Sequence, residues 1–166
     1  DRLWVSGTIG DSALGLAIRQ GRAIGDNALV LRYVRPMPRL ALGQSLAPLV
    51  TAMADVSDGL LIDARRMAVS SGCAIHLDLD ATPLSDAFVA ARGDDTESRL
   101  FAATGGDDYE LLFTAQEAAT DAIMACARMS GVPVMALGEC AAGGGLHLRS
   151  ADGPIALPER LGWLHD

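Results

Sequence analysis

Apolar and polar positions along this chain change period several times, and each change marks an element. Leu3 to Ser6 is a short apolar run with the length of a strand, and it leads into Gly7-Thr8-Ile9-Gly10. The glycine turn predicts a helix from Ser12 to Gln20, capped by Asp11 or Ser12. A second apolar stretch covers Ala28 to Tyr33. Pro36 and Pro38 then break any helix and set Arg35 and Arg39 on a rigid connector, where they either meet an anion or, as expected, form a solvated surface pair. A helix follows from Leu40 to Ala47 and stops at Pro48. The run Leu49 to Ala54 reads as a buried strand. After it the spacing becomes helical at Leu60/Leu61, Ala64, Met67/Ala68 and Ser71, with Gly72 as the stop.

Ala74 to Leu79 alternates apolar and polar side chains, as a half-covered strand does, and places His76 outward without an evident partner. Thr82 and Pro83 are expected to cap and open the next helix. Residues 92 to 98 are the most polar segment. They read as a loop entering a short helix to Ala103, with Asp94 and Asp95 as loop and cap residues. Leu111-Leu112-Phe113 is a strand. Thr114-Ala115-Gln116-Glu117 has the form of a capping box for a helix to Ser130, ended by Gly131 and Pro133. Val134 to Leu137 and Leu146 to Leu148, joined through Gly143-Gly144-Gly145, predict a closing hairpin. The element order predicts one α+β domain over residues 1–166, an α/β sandwich with helices covering a mixed sheet. No internal repeat or linker is visible.

Composition narrows the function. With 166 residues, 50% hydrophobic and 20% charged, the chain has enough apolar material for a full core. A net charge of −8 argues against nucleic-acid or anionic-membrane surfaces. No apolar run approaches the roughly 18 residues of a membrane span. Cys73, Cys126 and Cys140 are odd in number and lack metal-like spacing, which predicts a reduced, cytoplasmic protein. The chain opens at Asp1, without Met and directly into a strand, as a piece of a longer protein would. All 13 basic residues are arginine. A Walker A loop, a protein-kinase fold and Schiff-base chemistry each need a lysine, so none of them is available here. Any phosphate must be neutralised by arginine, backbone N–H groups or metal ions.

Two stretches carry candidate chemistry. The first is Asp55-Val56-Ser57-Asp58-Gly59, where a strand gives way to a helix. Free N–H groups and the positive end of a helix dipole suit phosphate there. Two carboxylates beside a phosphate need a divalent cation between them, and oxygen ligands of this kind suit Mg2+. The plain alternative makes Ser57 or Asp58 an N-cap and Asp55 a solvated turn residue. The second is Gly105-Gly106-Asp107-Asp108-Tyr109-Glu110, where three carboxylates and a phenol stand at the mouth of a strand. Its alternative is a glycine turn before an edge strand. At the tail, Trp163 either anchors the chain in the core or stacks on a ligand ring.

These stretches occur in a familiar order. Val5 to Asp11, Arg35-Pro36-Met37-Pro38-Arg39, Asp55 to Leu60, Gly105 to Leu111 and the Gly162-Trp163 tail together resemble the thiamine-monophosphate kinase family. The likeness is to its C-terminal domain, in the aminoimidazole-ribonucleotide-synthetase-like superfamily. The resemblance implies transfer of the ATP γ-phosphoryl group to thiamine monophosphate, giving thiamine diphosphate and ADP. It implies Asp55 and Asp58 as Mg2+ ligands, Ser57 as a nucleotide contact, and Asp107 and Trp163 as substrate contacts. Aspartate stands at 107 where glutamate is more familiar in the family. The tail ends Trp163-Leu164-His165-Asp166 where an acidic residue and a terminal aromatic are expected. The family's N-terminal domain brings further Mg2+-binding aspartates, much of the ATP site and the homodimer interface. This chain alone is therefore expected to turn over weakly or not at all. Other ATP-dependent synthetases of the superfamily, or a non-catalytic ligand-binding domain, are the alternatives.

Overall fold

In the computed structural model, which describes residues 1–164, seven strands form one sheet in the order β2-β4-β1-β5-β3-β6-β7. The strands are β1 (Arg2–Ser6), β2 (Ala52–Val56), β3 (Ala74–Asp78), β4 (Glu110–Ala115), β5 (Val134–Ala141), β6 (Gly145–Ser150) and β7 (Gly153–Ile155). The helices are α1 (Asp11–Arg19), α2 (Asn27–Val34), α3 (Leu40–Leu46), α4 (Leu60–Ser71), α5 (Asp86–Arg92), α6 (Thr96–Thr104) and α7 (Thr120–Ser130). All strand neighbours are antiparallel except β3 and β6. The fold is α+β with a mixed, helix-covered sheet, as expected.

The alternation of the strands feeds two cores. Leu3 and Val5 of β1, Leu112 of β4, Ile75 and Leu77 of β3 point to one face, under α1, α2, α4, α5 and α6. Trp4 and Phe113 point to the other, under α3 and α7. Their rings stack at 6.4 Å.

Several expectations are corrected. The strand expected at Leu49–Ala54 begins at Ala52, because Leu49 and Val50 are apolar for another reason: they pack beside α3 and α7 in the second core. Thr82 is buried after a short 3-10 turn at 79–81, and the next helix opens at Asp86 with Ser85 as its cap. Thr114 belongs to β4, so the sequence match to a capping box is coincidental; a 3-10 turn at 117–119 precedes α7. The β5–β6 hairpin does not form, because β3 inserts between them and pairs with both. His76 does have a partner: parallel register with β6 stacks it on His147, with ring centroids 4.8 Å apart. The αL stop at Gly72 and the Asp95 cap of α6 are as expected.

Candidate active site

The first loop is shaped by a residue from inside the helix it precedes. Asp63, in the first turn of α4, lends one carboxylate oxygen to the N–H groups of Ser57, Asp58 and Gly59, at 3.2, 3.1 and 3.3 Å. Those three N–H groups are thus occupied, not free as the sequence suggested. Gly59 takes φ 131°, a conformation side chains avoid. Arg66, one turn further on, places Nη1 2.5 Å from Asp58 Oδ2 and 2.8 Å from Asp63 Oδ1. Asp58 is buried with this partner. Asp55 is exposed at the end of edge strand β2.

The second loop lies against the first. Asp107 N–H donates to Ser57 O at 2.8 Å, and Tyr109 N–H to Val56 O at 2.9 Å. The approach is so close that a Cβ on Gly106 would sit 2.6 Å from Ser57 O. Asp107 and Tyr109 both adopt left-handed backbone, φ 69° and 52°. Strain of this kind persists where surrounding contacts hold it, commonly at functional sites.

The backbone path splits the acidic cluster. Only Asp107 and Tyr109 face the open cleft; the expectation of three carboxylates at the mouth is corrected. Asp108 turns inward and accepts from Gly10 N–H at 2.7 Å and Ser12 N–H at 3.1 Å. It therefore caps α1 from across the fold, replacing the Asp11 or Ser12 cap expected locally; Gly10 is the N-cap and no side chain of α1 serves. Burial pushes the Asp108 carboxyl up to about 7, against the pull of the Gly10 and Ser12 hydrogen bonds. Glu110 also turns inward and is fully buried. It accepts from Ser6 Oγ at 2.5 Å, Arg32 at 2.8 Å and Arg39 at 2.8 and 2.6 Å. Burial would raise its pKa, but hydrogen bonds from Arg39, Ser6 and Arg32 hold it below the usual carboxylate range. Arg39 is accordingly no solvated surface arginine, whereas Arg35 is exposed.

The tail completes the site. Trp163 N–H donates to Asp58 O at 2.8 Å, and a Cβ on Gly162 would lie 2.4 Å from the same oxygen. The indole is 61% exposed, which excludes the core-anchor alternative. His165 and Asp166, the rest of that tail, lie outside the described residues. A cleft of about 770 Å³ results, lined by Ser57, Asp58, Asp107, Tyr109 and Trp163, with Gly105 and Gly106 among its walls. Asp55 stands outside that lining. Its charge nevertheless reaches the cleft: burial raises the Tyr109 phenol, and the charges of Asp107, Asp55 and Asp58 raise it further. The structure thus brings together Ser57, Asp58, Asp107 and Trp163 and leaves Asp55 at the rim.

Sequence reasoning missed Asp63 and Arg66, which shape and pair the first loop, and Arg22, Tyr33, Phe101 and Arg160, which also line the cleft. An acidic residue in the first turn of α4 was a visible signal for Asp63. Nothing local marked the others. Among the described residues, no three His, Cys, Asp or Glu side chains form a ready-made metal group, and no helix is long and apolar enough to cross a membrane. Asp58, which lines the cleft, and Asp55, at its rim, are hard oxygen donors of the kind Mg2+ takes, one or two at a time, with phosphates and water completing its shell.

A family model described as AIR synthase related protein, C-terminal domain, matches residues 1–150. The chain belongs to that family. Thiamine-monophosphate kinase from Caulobacter vibrioides is 40% identical over 169 residues, covering 99% of this chain and 48% of the relative. The crystal structure of thiamine-monophosphate kinase from Stenotrophomonas maltophilia superposes with a TM-score of 0.82 at 40% identity, over 89% of this chain and 49% of that one. A structure described as AaThiL complexed with AMPPCP and TMP gives 0.77 at 27% identity, over 99% and 51%. The chain spans about half the length of these relatives. The AIR synthase-related match ends before Trp163, so the tail's place in the cleft rests on the contacts above.

Proposed function

We propose that this chain is the substrate-side half of a Mg2+-dependent kinase that transfers the ATP γ-phosphoryl group to thiamine monophosphate, giving thiamine diphosphate and ADP. The convergence of two acidic loops and an aromatic tail on one cleft carries this reading, and relatives bearing the thiamine-monophosphate kinase name support it.

In this reading Asp55 and Asp58 hold Mg2+ and Ser57 contacts the nucleotide. Mg2+, when bound, neutralises and aligns the phosphates of donor and acceptor. Trp163 lies along a thiamine ring, and the cationic thiazolium gains from an aromatic face. Asp107 meets the substrate directly or through one water, being a methylene shorter than glutamate. Tyr109, 3.5 Å from Asp107 Oδ1, helps fix that carboxylate. The glycines at 105 and 106 let that wall pack directly on Ala13 and on the Ser57 carbonyl. The attacking atom is a phosphate oxygen of the substrate, already ionised near neutral pH, so no side chain need act as nucleophile or general base. The remaining ATP contacts, further metal-binding aspartates and the homodimer interface belong to an N-terminal domain outside this chain, in a cytoplasmic enzyme.

The decisive experiment is a coupled ADP-release assay on the whole protein with thiamine monophosphate and MgATP. Asp58→Asn should lower turnover by about a hundredfold or more while leaving the circular dichroism and melting curve intact. An unchanged rate removes Asp58 from the metal site. Failure of the unmodified protein to make thiamine diphosphate removes the function.

A further inference from the structure

Asp58 carries two jobs that conflict. As a metal ligand it must present a bare carboxylate to an incoming cation. As a side chain only 13% exposed, it pays a desolvation penalty whenever no cation is near. The structure resolves the conflict with Arg66, whose Nη1 spans Asp58 Oδ2 and Asp63 Oδ1.

The three residues differ in how firmly they are held. Asp63 is buried, and its other oxygen is committed to three consecutive backbone N–H groups of the loop. That grip uses no atom of the Asp58 side chain. The turn therefore keeps its shape whether or not Asp58 has a partner. Arg66 is the loose member: its side chain is 49% exposed, on a long stem at the rim of the loop. An ion pair with one solvated member is weak and readily exchanged.

We infer that Arg66 is a resident counter-ion for Asp58, seated on Asp63, and that it competes with Mg2+ for the Asp58 carboxylate. This rests on the reading of Asp58 as a metal ligand. Arrival of the divalent ion takes Oδ2 from Arg66, which swings toward solvent while retaining Asp63 as its mooring. Departure of the ion lets Arg66 return. The arrangement weakens Mg2+ binding modestly and offsets the buried Asp58 charge while no cation is bound. Arg66 is a positioning residue; it touches neither nucleotide nor thiamine in this scheme.

Titration calorimetry with MgCl2 alone, on the whole protein without nucleotide, tests the competition. Arg66→Gln should tighten Mg2+ binding about two- to fivefold, the range expected for losing a half-exposed ion-pair partner. The same variant should melt at a lower temperature in chelator. Arg66→Lys, which restores a cation, should return both quantities toward the parent values. A purely structural Arg66 would move melting alone, or weaken both. Unchanged or weaker Mg2+ binding in Arg66→Gln overturns the inference. A titration that Asp58→Asn leaves unaltered overturns the metal assignment itself, whatever Arg66 does, so the two failures are distinguishable.

Discussion

Both carboxylate oxygens of Glu110 are gripped by one guanidinium, that of Arg39, at 2.8 and 2.6 Å, with no part of Glu110 open to water. The pair ties the start of α3 to β4, the strand that follows Asp107 and Tyr109. Arg32 from α2 and Ser6 from β1 complete the network. A buried carboxylate so paired is costly to lose on one side only. Glu110→Gln should lower stability by about 3 kcal/mol, read from urea unfolding. Arg39→Lys should fall on the same side, because an ammonium has no planar fork to match both oxygens.

Asp108 supplies a pH dependence of the opposite sense to most carboxylates. Its folded pKa, about 7, lies above the ordinary 3.8, so the folded protein keeps a proton the unfolded chain has released. Stability from this group is full below the ordinary value and is lost as pH rises toward 7. Glu110 works the other way: its pKa is lowered, so its contribution is present above the ordinary 4.5 and lost as pH falls further. Between the ordinary carboxylate range and neutrality, unfolding free energy should therefore decline with pH. Asp108→Asn should flatten that decline; a parental slope in the variant would discount Asp108 as its source.

Gly106 has no room for a methyl group, since Ser57 O would lie 2.6 Å away. Backbone cannot yield cheaply there. Gly106→Ala should cost about 1–3 kcal/mol and push the two loops apart. Turnover should drop about tenfold or more, because Asp58 and Asp107 lose their relative placement. Paired melting and activity measurements check both effects.

Trp163 is held by its backbone, while its ring is largely free. Trp163→Ala should leave the melting temperature close to the parent and raise KM for thiamine monophosphate about tenfold, the worth of one aromatic contact. A large loss of stability would mean the indole serves the core instead.

Much of the element order was legible from periodicity, because helix α4 and strand β3 bury one regular face each, and strand β1, buried on both faces, reads as a short continuous apolar run. The two acidic loops were legible because they sit where one period gives way to another. Their internal division was not. Nothing in Asp107-Asp108-Tyr109-Glu110 announces that two of its acids turn inward to α1 and to Arg39; that follows from left-handed backbone at 107 and 109, which contacts with Ser57 and Val56 impose. The β5–β6 hairpin failed for a similar reason: adjacency in sequence suggested pairing, and a strand some sixty residues earlier won the position between them.

Local patterning was sufficient for the class of fold, the absence of lysine chemistry and the residues worth watching, since helix and strand periods, turn glycines and side-chain types are properties of short stretches. Register, loop contact and the joining of residues 57, 107 and 163 into one cleft came from packing alone. Those placements depend on which surfaces exclude water from each other, and such surfaces exist only once distant segments have met.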